Sequence, residues 1–402
     1  MGKIQIFGHC NHRYSEIERL FDETISSGFD TGASVVIEHH GEQVVNMWAG
    51  YTDADKTKLW SNDTLVNVFS ITKAITAVCI IKLVDEGRLD LKQKVSYYWP
   101  EYGCNGKENT LVSDFLCHRA GMFGFREGMP NLDFADWGAW VNLLERQVPI
   151  FDPGAHQAYH AITFGWLVGE IVRRVDGRTI GQFFEEEIAA PFSLDFKIGL
   201  CREHFHRCAD ILMDPVPEIG LLKLLRFIPD LFLSKELTLI KKALSSRNFE
   251  IAFEQRSDDP NYVNTDEWRK AEIPSANGHG TAESLAKLFG ILSTGCERDG
   301  RRLFRNNTLK ASLKPLSTGP DMVLFSEKIC FGVGFDIGLG ITTIGDKKHP
   351  SSLFGHCGIS GSVAFGDIEN ELGFAFLCNR IHQPKDLYKT FNQLTRALYK
   401  IK

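Results

Sequence analysis

The sequence predicts an α+β fold in which a central antiparallel sheet, flanked by helices, is built from both ends of the chain, with a mainly helical lobe inserted between them. Two observations carry this. "GASVVIEHHGEQVVNMWAG" (32–50) and "GSVAFGDIENELGFAFLCNR" (361–380) each hold two apolar or β-branched runs around a polar turn, the pattern of a hairpin. Each hairpin lies near an amphipathic helix, and neither could bury both of its faces alone. Between them, from about residue 100 to 270, the pattern changes to short helical stretches, many aromatics and loops rich in Pro, Gly and Asp. The 402 residues are therefore read as a single domain, with 1–95 and 271–402 forming an α/β lobe and 96–270 the insertion.

In chain order, Ser15 with Glu18 makes a capping-box signature ahead of Ile17, Leu20, Phe21 and Ile25 at helical spacing. The first hairpin turns at His39–Glu42. "NVFSITKAITAVCIIKLVDEG" (67–87) reads as an apolar helix that stops at Gly87, a residue suited to the left-handed position after a helix. In the central stretch the clearest helix begins near Ala161, in "AITFGWLVGEIVRRVDG". Beyond 275, "GHGTAESLAKLFGIL" is helical and "FGVGFDIGL" strand-like. The second hairpin turns about Ile368–Glu371, and Leu387, Phe391, Leu394 and Leu398 mark a closing one-faced helix.

Composition narrows the function. Lys and Arg number 45 against 51 Asp and Glu, a net charge of −6, with no long basic run, so nucleic acid is not an expected partner. Ten cysteines are scattered without a C-x-x-C pair, which fits neither a disulfide framework nor a zinc ribbon. The N-terminal residues turn polar too soon for a signal-peptide core, no apolar run is long enough for a membrane span, and Ile6 does not fit myristoylation at Gly2. A cytoplasmic protein with reduced thiols and no stable membrane insertion is expected. "GLLKLLRFIPDLFL" (220–233) is amphipathic, a pattern that more often caps a cleft or packs on a core than lies on a membrane. "CREHFHRC" alternates His204, His206 and Cys208 as a metal-binding strand face would, although such spacing belongs more often to a polar strand or loop. No metal or cofactor is expected.

The chemistry centres on Ser70 and Lys73, three positions apart on an apolar helix. A serine hydroxyl is a poor nucleophile without a base in reach, and positions i and i+3 share a helix face. A desolvated lysine loses preference for its charged form and can serve as that base. The free N–H groups of a helix start can also stabilise an oxyanion. The plain alternative is a lysine that snorkels to solvent. No G-x-S-x-G elbow exists, since "GISGS" ends in serine, and Asp114 and Asp152 read as loop or cap residues.

In order along the chain come "FSITKAITA" with "LVDEGRLDLKQKVSYYWPEY", "DFLCHRAGM", "PGAHQAYHAITFGWLVGEIVRRVDG", "NGHGTAESLAKLFG" and "FGHCGISGSVAFGDIENELGFAF". In these segments the sequence resembles the serine β-lactamase and penicillin-binding-protein superfamily, in its class C and family VIII carboxylesterase branch, across most of its length. The resemblance implies a β-lactamase-like fold, acylation at Ser70 and a partner role for Lys73. Tyr159 matches the tyrosine that opens the family's Y-x-N element. His356, Cys357 and Gly358 stand in the K-T-G place and, with His160, are assigned to substrate binding. The backbone N–H groups of Ser70 and Ile359 would form the oxyanion hole. Two departures matter. The Y-x-N asparagine is Ala161, and the K-T-G lysine is His356, a cation only conditionally on pH. Both losses remove groups suited to a penicillin rather than groups needed for acyl transfer. The expectation is a serine hydrolase that cleaves small-molecule carboxylic esters through an acyl-enzyme. A β-lactamase or D-alanyl peptidase, an acyltransferase, and a non-catalytic binding protein on the same scaffold are the alternatives.

Overall fold

The computed structural model describes residues 4–214, 233, 235–254, 259–326, 329–342 and 352–401. Its centre is a nine-stranded antiparallel sheet. The strands are β1 (Ile6–Cys10), β2 (Gly32–His39), β3 (Glu42–Gly50), β4 (Ser317–Gly319), β5 (Ile329–Phe331), β6 (Asp336–Ile337), β7 (Leu353–Cys357), β8 (Val363–Asp367) and β9 (Leu372–Cys378), in spatial order β1-β3-β2-β9-β8-β7-β6-β5-β4. The two hairpins meet at β2 and β9, which pair from Ala33↔Cys378 to His39↔Leu372. The expected α+β class, with one antiparallel sheet drawn from both chain ends, is what the structure shows.

Local sequence explains the framework. At the first hairpin, His40 (φ 53°) and Gly41 (φ 79°) both occupy the left-handed region, as in the tight turn whose twist matches a strand pair. β8 and β9 are buried along their whole length because helices cover both faces of the sheet. On one face lie α1 (Ser15–Ser26) and α5 (Lys389–Leu398), whose Phe21 and Phe391 pack with Phe365 and Phe374 in one core. On the other lie α2 (Ile71–Asp85) and α4 (Ala282–Ser293). α4 comes so close that a Cβ on Gly373 of β9 would stand 2.2 Å from the Ala286 carbonyl, so only glycine fits there. α2 is buried nearly all round, as befits a central core helix, and Gly87 (φ 71°) follows its end. α3 (Thr163–Asp176) packs beside it and continues the core through Trp166, which stacks on Trp140 at 4.3 Å.

Three local expectations change. Ser15 is already helical, so no capping box forms. The chain enters α1 through a 3₁₀ turn, His12–Tyr14, whose start is capped by Asn11 Oδ1 accepting the Arg13 N–H at 3.1 Å. β1 was not foreseen; it pairs with β3 across the sequence, and "IFGHC" carries no clear alternation. Arg202–Arg207 forms a 3₁₀ helix rather than a strand, so alternation does not place His204, His206 and Cys208 on one face. Of the amphipathic stretch 220–233, all but Leu233 lies outside the described residues.

Candidate active site

Ser70 stands at the start of α2, after a turn in which Phe69 adopts φ 48°, an uncommon conformation for a bulky residue. Its surroundings hold it there. The Phe69 N–H donates to Asn67 Oδ1 at 3.2 Å, the Thr72 hydroxyl donates to the Phe69 carbonyl at 2.5 Å, and the Val68 N–H donates to the Gly278 carbonyl at 2.9 Å. The turn leaves Ser70 half-buried at the helix N-terminus.

Lys73 does not snorkel; its side chain is fully buried. Its Nζ lies 2.7 Å from the Ala161 carbonyl, 2.9 Å from the Ser275 carbonyl and 3.2 Å from Ser70 Oγ. No carboxylate among the described residues pairs with it. Burial pulls its pKa well below the ordinary lysine value. A neutral amine has two hydrogens for the two carbonyls and a lone pair left for the serine O–H, so this geometry is satisfied without a charge.

Tyr159 lies alongside, its ring 4.9 Å from Lys73 Nζ and its hydroxyl 3.5 Å from His356 Nε2. Burial drives the phenol's pKa well above its ordinary value, with hydrogen bonding to Ser70 working in the opposite direction. His356 Nδ1 lies 2.8 Å from the Cys357 carbonyl, which assigns the proton to Nδ1 and leaves Nε2 as an acceptor facing Tyr159. Burial first, and then the neighbouring Lys73, push the His356 pKa down to about 3. The conditional cation expected at this position is thus an uncharged ring at any ordinary pH.

Gly358 follows directly on β7, and a Cβ there would sit 2.5 Å from the Val68 carbonyl. A bare glycine lets this strand press against the residues just before Ser70. The turn after it is closed by the Gly358 N–H donating to the Ser362 carbonyl at 2.7 Å and the Gly361 N–H to the Gly358 carbonyl at 3.0 Å. Among the described residues, the N–H groups of Ser70 and Ile359 have no hydrogen-bond partner.

Two assigned side chains face elsewhere, which corrects their reading as substrate contacts. His160 is buried in the wall: its Nδ1 lies 2.7 Å from the Ala158 carbonyl, and its Nε2 accepts the Met122 N–H at 3.3 Å. Cys357 follows His356 on a strand, so it points to the opposite face, where the Tyr388 hydroxyl donates to its sulfur at 3.1 Å. Asp114 caps a short helix by accepting the Leu111 N–H at 2.8 Å.

Two residues went unassigned at the sequence level. His118, inside the quoted "DFLCHRAGM", accepts the His160 N–H at 3.1 Å and sets its ring 4.7 Å from that of Tyr159. Asp321, buried, accepts the Tyr159 N–H at 3.2 Å and the Val323 and Leu324 N–H groups at 2.9 Å each. The Pro-Asp pair at 320–321 signals a turn but not this long-range bond.

Comparison with known proteins shows the family and the fold. The family profile described as Beta-lactamase matches residues 18–397. The chain is 31% identical over 384 residues to the esterase/beta-lactamase LipL of Mycobacterium tuberculosis (strain ATCC 25618 / H37Rv), covering 94% of this chain and 84% of that protein. A penicillin-binding-protein homologue from Caulobacter crescentus superposes with a TM-score of 0.84 at 33% identity, covering 99% of this chain and 100% of the other. A family VIII carboxylesterase superposes with the same TM-score of 0.84 at 29% identity, again over 99% and 100%.

Proposed function

The chain belongs to the Beta-lactamase family, whose members with this fold include hydrolases, and on that premise we propose that it cleaves carboxylic esters through an acyl-enzyme on Ser70. The observation that carries the reading is the fully buried Lys73 amine 3.2 Å from Ser70 Oγ. In this mechanism neutral Lys73 takes the serine proton as Oγ attacks the ester carbonyl. The developing oxyanion is held by the free N–H groups of Ser70 and Ile359. Tyr159, which keeps its proton at rest, gives it to the departing alkoxide and recovers one from Lys73. Water entering on the vacated side then attacks the acyl carbonyl while neutral Lys73 takes its proton; as the carbonyl–Oγ bond breaks, Lys73 returns a proton to Ser70 and the carboxylic acid leaves.

The surroundings favour an uncharged substrate. His356 offers a neutral acceptor in place of a cation, and Ala161 offers only its carbonyl, already given to Lys73. The names of LipL and of the Caulobacter protein support a second reading, turnover of β-lactams or D-alanyl peptides. An alcohol replacing water would make the same site an acyltransferase. All ten cysteines are free, which supports work in the reducing cytoplasm, and no described helix is long and apolar enough to cross a membrane.

The test is intact-mass analysis of protein mixed with a panel of p-nitrophenyl esters and nitrocefin. Acylated Ser70 with ester turnover, both lost in Ser70→Ala, is the expected result. Ester turnover by Ser70→Ala equal to the wild type would overturn the reading, and nitrocefin turnover matching that of esters would favour the lactamase. Failure of a fluorophosphonate to label Ser70 in folded protein would point to a non-catalytic role.

A further inference from the structure

A row of aromatic rings runs away from the Tyr159 hydroxyl's own ring. Phe253 stacks beside Tyr159 with centroids 6.2 Å apart and planes at 26°, Phe249 follows at 4.7 Å and 32°, and Phe325 at 6.5 Å and 25°. Phe249, Phe253 and Phe325 each keep part of their surface uncovered, and Met322, in the same turn as Phe325, is 38% exposed. Apolar rings left partly open beside a reactive hydroxyl are a cost in water unless something covers them during turnover.

The row is held in place from several sides. Phe249 and Phe253 belong to the helix Arg247–Phe253, whose start is capped by Ser246 Oγ accepting the Phe249 N–H at 3.3 Å. That helix lies so close to Gly124 that a Cβ there would stand 2.3 Å from the Ile251 carbonyl. Just beyond it, Glu254 Oε2 accepts the Met129 N–H at 2.9 Å. Phe325 is presented with φ 54°, again an uncommon conformation for a bulky residue, in a turn closed by its N–H donating to the Asp321 carbonyl at 3.0 Å. The Asp321 carboxylate also accepts the Tyr159 N–H at 3.2 Å. One buried residue therefore sets both ends of the row.

Resting on the ester-hydrolase reading above, we infer that Phe253, Phe249 and Phe325 form the binding wall for the alcohol part of the substrate, and that this part is an aryl or extended alkyl group. Tyr159 can protonate the leaving oxygen only if that oxygen lies on its side of the carbonyl. The carbons attached to that oxygen then continue along the rings that follow Tyr159. Offset stacking suits an aryl alcohol, and the length of the row suits a long alkyl chain equally.

The experiment holds the acyl group constant and varies the alcohol: ethyl, hexyl and 2-phenylethyl acetates, followed by pH-stat with wild type, Phe253→Ala, Phe253→Leu and Phe249→Leu. Wild type is expected to prefer hexyl and phenylethyl over ethyl acetate. Phe253→Ala should cut the ratio of kcat/KM for phenylethyl over ethyl acetate by about ten- to hundredfold, the scale of one lost aromatic contact surface, with Phe253→Leu between. If Phe253→Ala does not fold, the two leucine variants decide by the same ratio. A ratio unmoved in every folded variant would overturn the alcohol wall while leaving ester hydrolysis standing. Absence of any Ser70-dependent hydrolysis would instead overturn the reading on which it rests.

Discussion

Lys73 Nζ lies 3.2 Å from Ser70 Oγ, and its other two hydrogen-bond partners among the described residues are the backbone carbonyls of Ala161 and Ser275. A base held this way needs to be neutral. Lys73→Met should therefore reduce ester kcat/KM by about a thousandfold or more, and Lys73→Arg should not restore it, because a guanidinium stays charged. In the wild type kcat/KM should rise with pH through the depressed Lys73 pKa and hold above it. Stability should follow the same sign: between that pKa and the ordinary 10.5, the unfolded chain binds a proton that the fold refuses, so stability rises with pH. Lys73→Arg retaining a tenth of wild-type kcat/KM would refute the neutral-base assignment.

Gly358→Ala tests the contact between β7 and the nucleophile turn. Its Cβ would meet the Val68 carbonyl at 2.5 Å, so the strand must retreat and carry the Ile359 N–H away from Ser70. We expect kcat to fall by about ten- to a thousandfold, the scale of one lost oxyanion donor, with a stability loss of about 1–3 kcal/mol. Steady-state kinetics and guanidinium titration measure the two. An alanine enzyme with unchanged kcat would remove Ile359 from the oxyanion hole.

His356→Lys restores the family's lysine in a place where this chain keeps an uncharged ring. Turnover of neutral esters should drop and relative turnover of carboxylate-bearing esters or lactams should rise, on a scale of roughly ten- to several-hundred-fold. Circular dichroism verifies folding. Equal changes on neutral and anionic substrates would reduce His356 to packing.

Acid should unfold the protein early. Burial holds His160 and His356 down to about 3 and His279 to about 4, against an ordinary 6.5. Below 6.5 the unfolded chain takes up protons these rings refuse, so their stability, fully present above 6.5, is lost as pH falls toward 4. Asp336, whose carboxyl is pushed up to about 7, and Asp321, also raised, work in the opposite direction. The expected net is a loss of about 1–3 kcal/mol per pH unit. Denaturation midpoints that stay level from pH 6.5 to 4.5 would contradict it.

What could be read from the sequence follows the range of the interaction. The juxtaposition of Ser70 and Lys73 was legible because residues three positions apart at a helix start share a face whatever surrounds them. Both hairpins were legible because strand alternation and turn residues are local. The orientation of His160 was not, since it depends on the Met122 N–H and the Ala158 carbonyl meeting the two edges of one ring. Cys357 is a different case: it follows His356 on a strand, so alternation alone should have turned one of the two away from the site. Asp321 was invisible because its bond to Tyr159 crosses the chain, and "IFGHC" was missed because its strand character comes only from β3.

The pairing of β2 with β9 also constrains the order of events during synthesis. Ser70 and Lys73 leave the ribosome together, long before β7, the Ile359 turn and β9 have been made. Until β9 arrives, β2 has an unpaired, apolar edge in what will become the middle of the sheet, an invitation to wrong partners. Non-local pairing of this kind makes folding slow. It also means that a nascent chain carries Ser70 and Lys73 before Ile359 exists; under the proposed mechanism, covalent labelling of Ser70 by a fluorophosphonate would then report a finished molecule and serve as a clock for its maturation.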